Sequence, residues 1–122
     1  MRKKTSTNWI NEKKITASCG MGYTLSLIGG RWKAGILWAL VEKGTLRFSE
    51  IRDELSGISE RMLAKQLDEM EEDALINRIA YPEVPPRVEY ELTELGHSME
   101  SMLQKMSEWG KMHQQQMEEA EV

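Results

Sequence analysis

Residues Tyr81 to Tyr90 read YPEVPPRVEY, and the three prolines in this stretch limit what can surround them more than any other feature of the chain. A proline has no backbone N–H to give to a ladder, and its ring fixes φ, so Pro82, Pro85 and Pro86 cannot sit within a central strand. They are confined to a connecting tip. The flanking runs, Ile76 to Tyr81 and Arg87 to Leu92, read as two antiparallel strands joined across that tip. Arg87 stands at the tip's edge. It is either a solvated residue paired with Glu83 or Glu89, or a cation offered to a phosphate or a narrow minor groove, where arginine recurs.

Short helices precede this hairpin. From Cys19, Leu25 and Ile28 recur at helical spacing until Gly29-Gly30 stops the run. Trp32 to Glu42 sets Trp32, Ile36, Leu37, Leu40 and Val41 on a broad apolar face, ended by Lys43-Gly44, and reads as core. Thr45 to Arg47 is short and suits a strand. Phe48, Ile51 and Leu55 mark a helix of about two turns, broken at Ser56-Gly57. Ser59 is a suitable N-cap for the next helix, because its hydroxyl can accept a free N–H of the first turn. Leu63, Leu67, Met70 and Ala74 then follow at steps of four, three and four, one stripe facing a core.

The opposite stripe of that helix is Arg61, Lys65, Asp68 and Glu72, and its sign changes along its length. Only the N-terminal half can lie against phosphates and base edges, and that is the part by which recognition helices commonly dock. The alternative is an ordinary amphipathic helix with Arg61 or Lys65 paired to Asp68. Helix, turn, helix and hairpin in this order describe a winged helix-turn-helix: an α+β fold, mainly helical, with the helix-turn-helix at about 48–74 and the wing at about 76–92.

At 122 residues the chain is long enough for one core and not for two. Its formal charge of −4 weighs against a nucleic-acid partner until the distribution is considered. Residues 1–41 carry seven basic side chains against one acidic, and residues 67–92 carry two against eight. Basic and acidic surfaces are segregated. Residues 1–14 are polar and basic with only Trp9 and Ile10 as apolar anchors, and are expected to form a mobile arm or an extra dimer contact ahead of a domain at 15–112. No apolar run reaches membrane-spanning length and no apolar segment follows the basic start, so a cytoplasmic protein is expected. One cysteine allows no intrachain disulfide, and with two histidines it makes a poor set for structural zinc. No cofactor is expected. His97 and His113 lie far from Cys19, and no glycine-rich phosphate loop or metal-ligand spacing occurs, which argues against an enzyme.

Thr93 can cap the last helix, at about 93–112, in which Leu95, Met99, Met102, Met106 and Trp109 recur at four, three, four and three. With Leu103 and Met112 beside it, this heptad-like stripe is wider than a small winged-helix core can cover. A second copy is the simplest cover, so a homodimer is expected. Methionine stripes are more often packing than ligand boxes. The polar tail at 113–122 is expected to fray.

These residues resemble the HxlR-type winged helix-turn-helix regulators, relatives of the MarR group. The resemblance runs from Cys19 to Gly110 and is carried by IGGRWKAGILWAL, LRFSEIRDELSGISERMLAKQLDEMEEDALI, YPEVPPRVEYELTELG and the late Trp109-Gly110. It implies a bacterial, homodimeric transcription factor that binds double-stranded DNA, with the dimer built from the first and last helices: Leu25 and Ile28 with Met99, Met102, Met106 and Trp109. The DNA surface it implies is Ser59, Arg61, Met62, Lys65 and Gln66 on the recognition helix, Arg87 in the wing, and the basic pair Arg31 and Lys33 at the start of the second helix. Arg47 and Arg52 are weaker candidates, because Glu50 and Asp53 can neutralise them.

Several proteins of that family sense oxidants or electrophiles through a cysteine at the start of the first helix, and Cys19 stands at the matching position. A helix N-terminus and the nearby Lys13 and Lys14 favour the thiolate, which is the reactive form. The competing reading is a small thiol buried in the dimer contact. If Cys19 senses, the products open to it are an intersubunit Cys19 to Cys19 disulfide, a mixed disulfide with a small thiol, or alkylation. A different class of function also fits the fold: a winged-helix adaptor that binds protein through its acidic half.

Overall fold

The computed structural model describes residues 19–121; the basic arm expected at 1–14, with Lys13 and Lys14, lies outside them. Helix α1 (Gly20–Ile28) begins where Cys19 serves as N-cap. Helix α2 (Lys33–Lys43) supplies Ile36, Leu37 and Leu40 to the core. A short strand β1 (Leu46–Arg47) leads into α3 (Phe48–Glu54), and a turn leads to α4 (Glu60–Glu72). Strands β2 (Ile76–Tyr81) and β3 (Arg87–Leu92) are the wing. A single turn, α5 (Glu94–His97), and the long α6 (Glu100–Ala120) complete the chain.

The sheet has the order β1-β3-β2, antiparallel throughout. Leu46 opposite Tyr90 and Arg47 opposite Glu89 tie the start of the helix-turn-helix to the wing. Ile36, Leu37, Leu40, Ile51, Leu63, Leu67, Met70 and Ile76 are the largest fully buried side chains. One core thus joins α2, α3, α4 and β2, and removing those apolar surfaces from water is the main favourable term in holding α4 in place.

Four expectations are corrected. Ala74 is not the end of the core stripe: it is exposed, with φ of 63°. The Leu75 N–H bonds to the Met70 carbonyl (3.0 Å) and the Ala74 N–H to that of Glu71 (3.0 Å), which is a left-handed helix stop with buried Met70 and Leu75 beneath it. The helix capped by Thr93 is interrupted at Ser98 and Met99, where the Ser98 hydroxyl donates to the Leu95 carbonyl and so competes with the helical ladder. The polar tail is helical to Ala120, because strong helix formers such as Gln, Glu and Met fill it and Gln115 reaches Glu119 one turn on. Ile28, expected in the dimer contact, is only 3% exposed and belongs to the protomer's own core, so little of its surface is left for a second copy; Met99 is half-buried against the same core.

Candidate nucleic-acid interface

The α3-to-α4 turn is built around Gly57, whose φ of 87° is left-handed and suits a residue without Cβ. Ile58 is buried beside it. Ser59 then caps α4, its Oγ accepting from the Met62 N–H at 3.1 Å. Arg52 Nη1 lies 2.6 Å from Glu60 Oε1, so the first carboxylate of α4 is held by the preceding helix. Arg52 also lies 3.6 Å from Asp53. Glu60 as a partner for Arg52 was not foreseen, since it joins residues eight apart across the turn.

With Leu63, Leu67 and Met70 buried, the outer face of α4 is set by the helical period. Arg61 and Lys65 are exposed one turn apart, and among the described residues neither has an ion pair. The alternative pairing of either to Asp68 is not formed. Met62 and Gln66 are half-buried beside them, with Gln66 Nε2 3.3 Å from Met62 Sδ. The first two turns of α4 therefore present two free cations, an amide and a thioether, while Asp68, Glu71 and Glu72 follow on the exposed C-terminal part.

The other implied contacts are divided by the structure. Arg31 is exposed, its guanidinium 4.3 Å over the Trp32 ring. Lys33 is not: it is 7% exposed, and its Nζ lies 2.6 Å from Glu69 Oε1 on α4. That carboxylate, one turn above Lys65, takes the charge that a phosphate was expected to take. Arg47 is exposed, without an ion pair among the described residues; Glu50 accepts from its backbone N–H (2.8 Å) and leaves the guanidinium free. Arg87 does not project from the wing. Its guanidinium covers the Tyr81 ring at 3.9 Å, and Nη2 pairs with Glu83 at 3.1 Å.

Away from the helix-turn-helix, Met21, Leu25, Ile28, Met102 and Met106 border an apolar groove between α1 and α6. Trp109 is 61% exposed and stacks on His113, with centroids 5.1 Å apart. Cys19 is exposed, and its Sγ accepts from the Gly22 N–H at 3.4 Å. Burial pushes the Tyr90 hydroxyl above the ordinary tyrosine range, against a hydrogen bond from Arg78 that pulls it back; Asp68 and Glu71 also act on it. Among the described residues no cluster of His, Cys, Asp or Glu could hold a metal, and no helix is long and apolar enough to cross a membrane.

A family model described as HxlR-like helix-turn-helix matches residues 27–118. The chain is 50% identical over 95 residues to an uncharacterized HTH-type transcriptional regulator of Methanothermobacter thermautotrophicus, spanning 78% of this chain and 72% of that protein. It is 45% identical over 89 residues to the uncharacterized HTH-type transcriptional regulator BH0655 of Halalkalibacterium halodurans, spanning 73% and 79%. Among solved structures, the redox regulator HypR in its reduced form superposes with a TM-score of 0.75 at 39% identity, over 81% of this chain and 97% of that one. The chain belongs to the HxlR-like helix-turn-helix family and is a winged-helix regulator of transcription.

Proposed function

We propose that this regulator acts in the cytoplasm as a homodimer, each protomer laying the first two turns of α4 in the major groove of one half of an inverted-repeat operator. The observation that carries this is the pair Arg61 and Lys65, exposed without an ion pair among the described residues, while Glu60 and Glu69 on the same helix are bound to Arg52 and Lys33. The cations suit phosphates and guanine edges; Gln66 beside them suits adenine. Two copies of α4 related by a two-fold axis should sit about 34–36 Å apart, one turn of the duplex. Exposed Leu25, Met102, Met106 and Trp109 support the second copy, since they form an apolar surface that the protomer itself leaves open.

Control through Cys19 fits the same arrangement. The thiol is exposed at the N-terminus of α1, beside the apolar groove, and HypR, a similar structure, is described as a redox regulator. A two-electron oxidant such as a peroxide could join Cys19 to the partner's Cys19 with loss of both thiol protons, a small-molecule disulfide could exchange onto the thiolate and release its own thiol, or an electrophile could alkylate it. Each would alter how α1 and α6 pack on the second copy and hence the spacing of the two α4 helices.

The test is DNA binding by the intact chain to the region flanking its own gene, by mobility shift at several salt concentrations. Arg61→Ala and Lys65→Ala should each flatten the slope of log affinity against log salt by about one unit, as a lost phosphate contact does. An unchanged slope and affinity in the double variant rules the reading out. A shift that is absent or does not respond to salt, with a protein that co-purifies, would favour the adaptor instead. Unchanged binding after Cys19 is shown to be modified would remove thiol control alone.

A further inference from the structure

The wing holds its own cation against Tyr81 and Glu83, and its tip offers carbon. Tyr81 and Arg87 are partners in the β2–β3 register. The Arg87 guanidinium carbon lies 3.9 Å from the centre of the Tyr81 ring, the group pairs with Glu83, and its Nε is buried without a hydrogen-bond partner. The Tyr81 hydroxyl bonds in turn to Glu89, which holds it above the ordinary tyrosine range. One ring and two carboxylates thus clamp the base of the tip. To reach a phosphate, Arg87 would give up both its stacking and its ion pair.

Beyond the clamp, residues 82–86 are all exposed, and Val84 is 100% exposed, more than any other large hydrophobic among the described residues. Pro82, Pro85 and Pro86 surround it, none with an N–H. Glu83 is the only charge in the tip and Arg87 neutralises it, so the tip can approach a polyanion without carrying net negative charge. Proline-stiffened backbone has little freedom to lose on contact.

We infer that Arg87 is a positioning residue of the wing, and that Val84-Pro85 is the part that meets DNA, as an apolar wedge in the minor groove beside the half-site that α4 reads. Aliphatic and proline wedges act by partly unstacking a base step and kinking the duplex. The inference rests on the α4 reading above.

The full chain selects duplexes from a random-sequence pool, and the enriched duplex, end-labelled for energy transfer, is the probe. The wild-type chain should bend it by about 20° or more. Val84→Ser should lose about tenfold in affinity, the factor for one valine left unburied, and most of the bend, with the salt slope unchanged. Being fully exposed, this position should melt as wild type, so the loss cannot come from unfolding. Arg87→Gln should weaken binding with the slope unchanged, and Arg87→Lys, which keeps the charge but not the planar stack, should not restore it. Full affinity and bend in Val84→Ser, or a slope reduced by about 0.9 in Arg87→Gln as for one lost phosphate contact, overturns the wedge and leaves the α4 reading standing. If the intact chain enriches no duplex, the α4 reading fails and the wedge falls with it.

Discussion

The Lys33 ammonium lies 2.6 Å from the Glu69 carboxylate, with both side chains largely buried, and so joins the first turn of α2 to the third turn of α4. Removing Lys33 takes its ammonium from a carboxylate that is largely out of water. Lys33→Met should therefore cost about 2–4 kcal/mol in urea unfolding, slightly below the usual range for a buried pair because Glu69 retains some solvent. Lys33→Met with Glu69→Leu should recover most of it. A single variant as stable as wild type would show that the pair contributes nothing.

Ala74 ends α4 in a left-handed conformation at φ 63°. Its Cβ crowds the following carbonyl there, a penalty glycine does not have, while the larger freedom of an unfolded glycine takes some of the gain back. Ala74→Gly should raise stability by about 0.5–1 kcal/mol without altering the wing. Thermal unfolding of the variant checks this, and a lower Tm would contradict it.

Gly96 is required for a different reason. A Cβ built there would collide with the Leu75 carbonyl oxygen and crowd the Leu92 side chain. The same carbonyl accepts the Thr93 N–H (3.0 Å), and the Thr93 hydroxyl donates to the Ala74 carbonyl (2.7 Å), so the backbone between α4 and β2 has little room to retreat. Gly96→Ala should cost about 3 kcal/mol, the upper end of the overpacking range, in chemical denaturation. A loss under 1 kcal/mol would mean that the α5 turn slides aside.

Tyr81 and Tyr90 both hold their protons more tightly in the folded chain than the ordinary value of 10.0, Tyr81 through its bond to Glu89 and Tyr90 through burial. A folded pKa above the unfolded one means that unfolding releases protons as the pH passes 10, so the stabilisation is complete below that pH and is lost as the pH rises through the folded values. The melting temperature should begin to fall above about pH 10. Tyr90→Phe should fall less steeply, and an identical fall would exclude Tyr90 as a source.

The wing strands and the cap of α4 were readable from the chain because their causes are local. Three prolines bound β2 and β3 at Tyr81 and Arg87, and Ser59 needs only the N–H three residues on to cap α4. The sign change from Arg61 to Glu72 follows from helical period alone. Partners across the fold were not readable. Nothing near Lys33 in sequence points to Glu69, and Arg87 had two carboxylates within reach, of which the turn of the tip selected Glu83.

Local order alone therefore determined that this chain makes a helix-turn-helix followed by a wing, with the cations of α4 at its N-terminal end. Tertiary structure alone decided which cations remain available. Packing α2 against α4 buries Lys33 on Glu69, and folding β2 on β3 lays Arg87 on Tyr81, while Arg61, Lys65 and Arg47 stay exposed without an ion pair among the described residues. A charge's partner is set by distance and burial, and both exist only once the elements have met.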